Sequence, residues 1–324
     1  MARPTLDIVV EGDAVRIGER AALTFQRTLR IPDDGRVYPL SPGLGRFPVC
    51  RARDFPDRVP DDWKDDSVVF VPMHQREALW IAFEGARWKP NAVQVGVGRV
   101  NAVSGTTWED HLTGSPQNYL VCPDQPWIDG VNVGAGVIRQ FVAMPLGMGY
   151  TVEAQVTGEE RFGGIQIRVY EPKPGRFPDQ PPPTRGRGVE EGMVAMAMSP
   201  MGLAAGGTMR QKIYPDPYGL DVWDQERFGE VVVHIVNSAR FREITGREPP
   251  PSPIDAKTYT DYGFPWFDLY DEQAGDVDAP AGLRSVKSVR SKDREAGRDA
   301  AEPDPASPEI SPGQVKRLRP PEPE

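Results

Sequence analysis

The chain has 324 residues, a formal net charge of -9 at neutral pH, a pI near 5.1 and a mean hydropathy of -0.48. That acidic balance does not suit a body that tracks a phosphate backbone, no stretch approaches the roughly 20 apolar residues of a spanning helix, and the N-terminus, with Asp7 in its first apolar run, holds no signal-peptide core. Cys50 and Cys122, with no CxxC pattern between them, read as reduced thiols of a cytoplasmic protein, and 35 prolines with 33 glycines assign much of the chain to loops.

In chain order, Leu6 to Val10, Ala14 to Gly18 and Ala21 to Ile31 read as three strands, and Pro32-Asp33-Asp34-Gly35 closes the third as a turn. Tyr38 to Lys64, rich in proline, glycine and arginine, is expected to be a long ordered loop with at most a short helix near Asp61 to Lys64. Val68 to Pro72 is a short buried strand. Ala78 to Glu84 and Ala92 to Val100 alternate cleanly and predict a hairpin, and Gln117 to Cys122 and Ile138 to Met144 add two more strands. Val152, Ala154 and Val156 alternate with polar residues, as do Ile165, Ile167 and Val169, which predicts a second hairpin across Gly158 to Gly163.

Residues 172–192 form a linker by composition, dense in proline. A methionine-rich apolar segment follows, and Thr208 to Tyr214, Leu220 to Trp223 and Glu230 to Val236 return to strand character. One helix is expected through Arg240 to Thr245, capped by Asn237 or Ser238 and stopped by Gly246. Residues 273–324 contain no aromatic side chain and carry nine basic and ten acidic residues, a composition that predicts a disordered charged tail.

No motif fixes a reaction. His74, His111 and His234 lie in separate segments without a metal-ligand pattern; His74 stands three residues from Glu77, so it is the histidine retained as a catalytic alternative. Asp216, Asp221 and Asp224 fall in a turn-rich aromatic segment that could hold calcium through oxygen ligands or supply an acid/base pair for sugar hydrolysis, although aspartate beside proline and glycine is ordinary turn chemistry. Asp124, Asp129 and Asn132 are read the same way. Met193, Met196, Met198 and Met201 offer a pliant apolar contact surface if exposed and gap-filling if buried. Trp80, opposite in phase to Leu79 and Ile81, and nearby Trp88 are candidates for an aromatic platform. Residues 284–298 carry six positive and two negative side chains and are the candidate contact for nucleic acid or an anionic membrane.

The expected architecture is therefore mainly β, an antiparallel sandwich or distorted jelly-roll-like barrel over residues 1–272, with long Pro/Gly-rich loops, one short helix and the tail. A division at 172–192 stays open. The leading functional expectation is a non-enzymatic binding or assembly module with a protein partner or a homo-oligomer. The alternative is a carbohydrate-active enzyme or lectin built on the Asp-rich aromatic loop, with Ca2+ as its only candidate cofactor.

Overall fold

A computed structural model describes residues 5–180, 200–268 and 275–317. Two-residue periodicity dominates it. The first meander is β1 (Ile8–Glu11), β2 (Ala14–Ile17) and β3 (Ala21–Thr28), and the proline-rich loop after it carries only the short strands β4 (Val37–Tyr38), β5 (Gly43–Arg46) and β6 (Cys50–Arg51). Then come β7 (Val68–Met73), β8 (Ala78–Glu84), β9 (Asn91–Val97), β10 (Val100–Asn101), β11 (Leu120–Cys122), β12 (Trp127–Ile128), β13 (Gly130–Gly134) and β14 (Val137–Pro145). The longer β15 (Ile165–Pro172), β16 (Pro200–Arg210) and β17 (Trp223–Asn237) complete a 17-stranded hydrogen-bonded network that is mainly antiparallel and, among the described residues, does not close into a barrel. β18 (Trp266–Asp268) and β19 (Val315–Arg317) pair in parallel as a separate ribbon. The β17–β7 and β16–β4 pairs are also parallel.

Val15, Phe25, Leu79, Ile81, Val95, Ile167, Val231 and Leu283 belong to one core cluster, so residues on both sides of the proline-rich stretch enter the same interior. The strands alternate as expected where one face is wet. In β8, Leu79 and Ile81 are fully buried while Trp80 and Ala82 face the other way.

The expected helix is present as the second of five among the described residues: α1 (Val152–Thr157), α2 (Ser238–Thr245), α3 (Ala256–Asp261), α4 (Ala281–Arg284) and α5 (Val289–Glu295). In α2 the Asn237 side chain accepts from the Arg240 amide and Gly246 takes the left-handed conformation at φ 70. The strand expected over Val152 to Thr157 is instead α1. Val152 and Val156 are both two-periodic and four apart, so the pattern suits either element; the caps decide, since Thr151 accepts from the Ala154 amide and Gly158 is left-handed at φ 80. Likewise Leu220 to Val222 forms a 3-10 turn rather than a strand, while the short helix expected near Asp61 to Lys64 is present as a 3-10 turn over Asp61–Trp63.

Residues 275–317 carry little regular structure, in keeping with their composition, but they run along the body. Leu283, Val286 and Val289 are buried, and Asp293 receives both terminal nitrogens of Arg76 at 2.7 and 2.8 Å and the Tyr150 hydroxyl at 2.9 Å. Asp304 adds an ion pair to Arg30 at 2.6 Å.

Candidate functional site

Antiparallel pairing of β12 with β8 sets Trp127 opposite Ala82 and therefore diagonal to Trp80 on the wet face of the sheet. The two indoles meet at a centroid distance of 6.3 Å and an interplanar angle of 65°. Over them folds the loop Leu40 to Gly43, held by the Thr28 hydroxyl, which bonds the Ser41 hydroxyl at 2.6 Å and the Pro42 carbonyl at 2.8 Å. A side chain at Gly43 would stand 3.3 Å from the Trp80 ring, so glycine there permits the close approach. Phe267 of β18 closes the far wall, pinned by reciprocal backbone bonds with Leu40 at 2.8 and 3.0 Å. Together these residues and Asp129 enclose a cavity of about 270 Å³.

Asp129 is its one acidic member and is 2% exposed. Gln211 clasps it twice, accepting from its backbone amide at 2.9 Å and donating to Oδ2 at 2.7 Å. Burial pushes the carboxyl up to about 7, against the hydrogen bonds from Trp127 and Gln211 that pull it down. No cation is among the groups acting on it. The indole nitrogen of Trp80 is buried and lacks a hydrogen-bond partner within the described residues.

The other candidates lie elsewhere. Trp88 sits at the opposite end of the β8–β9 connection beneath the Arg20 guanidinium, 5.9 Å from its ring centroid, and does not line the cavity. Met201 is buried at 2% exposure within β16, and Met193, Met196 and Met198 lie outside the described residues. Asp216 accepts from the Tyr119 hydroxyl at 2.5 Å, the Trp223 indole at 2.9 Å and the Tyr218 amide at 2.8 Å, so it ties a loop together. Asp221 pairs with Arg176 and Asp224 caps the Glu226 amide at 3.1 Å. Among the described residues no three histidine, cysteine or acidic side chains come together as a metal-sized group. His74 lies half-buried beside the Arg27–Glu77 ion pair, its ring nitrogen 3.3 Å from the Pro250 carbonyl; burial and then the Arg27 charge depress it to about 4, leaving a neutral ring at physiological pH. In residues 284–298, Lys287 pairs with Glu295 and Arg290 donates to the Asp33 carbonyl at 2.7 Å, so part of the basic strip is spent internally.

Asp129 stood among the candidate carboxylates of the sequence, grouped with Asp124 and Asn132, whereas Trp127, Phe267 and the Leu40 to Gly43 loop were not singled out by sequence pattern. Only the strand pairing and one tertiary loop bring them to Trp80. Comparison with protein-family models, with curated proteins and with solved structures returned no match for this chain.

Proposed function

We propose that the chain is a non-enzymatic binding module whose ligand site is the cavity between Trp80, Trp127 and Phe267. The observation that supports it is a concave, aromatic-walled space with two polar side chains, Ser41 and Asp129, in its lining, the usual form of a small-ligand site. Catalysis lacks support because Asp129 has no second acid or base beside it in the lining, and the Ser41 hydroxyl there is held by Thr28. The carbohydrate alternative keeps Trp80 as a platform, but Asp216, Asp221 and Asp224 do not line the cavity and Ser41 is already engaged by Thr28. Ligand-detected NMR with a set of small aromatic and aliphatic fragments tests the site. Binding signals should vanish in Trp80→Ala and persist in Trp88→Ala; signals that survive Trp80→Ala would place the site elsewhere.

An assembly role draws on a different surface. Tyr262 is 72% exposed and packs at a tilt against Phe264, itself 47% exposed, beyond the end of α3. A protein partner or a second copy would cover these rings. Native mass spectrometry of the full chain, compared with Tyr262→Glu/Phe264→Glu, should show an oligomer that the double variant loses. A monomer in both would remove the homo-oligomer from this proposal.

A further inference from the structure

We propose that the aromatic cavity receives an alkylammonium group of a small molecule, a methylated amine whose positive charge is set against Asp129. This names the ligand class of the binding reading above and rests on it.

The argument starts from how this protein treats its buried acids. Among the described residues five carboxylic side chains are buried: Glu77, Asp129, Glu153, Glu171 and Asp293. Glu77 has Arg27, Glu171 has Arg20, and Asp293 has Arg76. Glu153 has no cation, but its oxygens accept three backbone amides, from Arg161, Phe162 and Gly163, at 2.8 to 2.9 Å. Asp129 alone has neither: the side chains acting on it are Gln211 and Trp127, both neutral, and no histidine, lysine, arginine or second acid is among them. A buried carboxyl without a counter-charge is costly to ionise, and a charge supplied from outside removes that cost. Asp129 is among the residues that line the aromatic cavity, where such a charge could be supplied.

The walls select the kind of cation. Trp80, Trp127 and Phe267 present aromatic surface, whose quadrupole attracts a cation held over the ring face. A bare ammonium must give up strong hydration to enter and finds few acceptors there. Methyl groups on the nitrogen weaken that hydration and bury against Leu40 and Pro42. A sugar would need several free polar partners, whereas Ser41 and Asp129 already bond to Thr28 and Gln211. The buried carboxyl sits near half-protonation at neutral pH when alone, so a bound cation drives it to the ionised form and releases a proton.

The test titrates tetramethylammonium and choline chlorides into the full chain at constant ionic strength. Tryptophan fluorescence and calorimetry are read against the neutral isostere 3,3-dimethylbutan-1-ol and against glucose. The cations should bind about tenfold or more tighter than the isostere. Affinity should rise as pH passes upward through 7, with protons released in buffers of differing ionisation enthalpy. Asp129→Asn should abolish both the preference and the release while the isostere still binds; if that variant does not fold, proton release by the wild type decides. Equal binding of cation and isostere, a preference for glucose, or an Asp129→Asn variant that keeps the cation preference overturns the cation inference and leaves the pocket reading standing. Silence from every probe, charged and neutral, overturns both.

Discussion

Glu77 and Asp129 flank neighbouring strands of one sheet, Glu77 just before β8 and Asp129 just after its partner β12, and they are almost equally hidden at 4% and 2% exposure. Burial raises both carboxyls to about 7. What differs is the surroundings. Glu77 receives Arg27 Nε at 3.0 Å and Nη2 at 2.9 Å, plus the His74 amide at 2.9 Å, and this polar face continues through Arg76 to Asp293 on the tail. Asp129 has two neutral donors and then open space. The cost of burial is therefore opposed by a cation inside the fold at one acid and by neutral donors alone at the other. The first is architecture, and the second has the form of a site.

The sharpest way to break this contrast is Arg27→Met. It leaves Glu77 buried without its cation and should cost about 3–5 kcal/mol in urea unfolding, with Glu77→Gln added to it recovering part of the loss. A loss no larger than that of a surface arginine would mean that Glu77 is as independent of its partner as Asp129 is of any.

The converse change, Asp129→Asn, should not destabilise in the same manner, and its effect should depend on pH. An acid whose folded pKa lies above its unfolded value gives stability that is fully present below the unfolded value, near 4, and is lost as pH rises through about 7. Between pH 4 and pH 8 the wild type should therefore lose about 2–4 kcal/mol relative to Asp129→Asn. Parallel stability curves for the two proteins would show that the carboxyl is not buried as described.

The strand pattern made much of this contrast's frame legible before any coordinates. Leu79 and Ile81 against Trp80 is a two-residue signal that survives folding unchanged, and the Asn237 and Gly246 caps mark α2 by local chemistry alone. α1 was not legible as a helix because Val152 and Val156 satisfy both periods and six residues are too few to separate them. The pocket was hidden for another reason. Trp127 and Asp129 reach Trp80 through pairing of β12 with β8 across more than 40 positions, and Phe267 arrives from β18, so no window of sequence contains the site. In the tail, Leu283, Val286 and Val289 are sparse among charged and small residues, and composition averages them away although they are buried.

The attachment of that tail gives a smaller test of the ion-paired face. Asp293→Asn keeps an acceptor for the Tyr150 hydroxyl but removes the charge from the bidentate pair with Arg76, and should cost about 1–3 kcal/mol in urea unfolding of the full chain. No comparable loss is expected from Lys287→Ala, whose partner Glu295 is exposed.

Two histidines, one beside the ion-paired face and one remote from it, give the test with the least disturbance. His74 and His234 are both lowered to about 4, His74 by burial and then by the Arg27 charge, His234 by burial alone with Asp62 opposing. His234 is stacked on Trp63 at 3.8 Å between ring centroids and 5° between planes, a neutral-ring arrangement. A group with its folded pKa depressed contributes stability present above the unfolded value, near 6.5, and lost as pH falls towards 4. His234→Phe should therefore flatten the acid side of the stability curve by about 1–2 kcal/mol. In Arg27→Met the NMR titration of His74 should move upward while that of His234 stays in place, because only His74 feels the cation that neutralises Glu77. Equal movement of both rings would mean that the substitution loosens the whole sheet and that its effect is not confined to the ion-paired face.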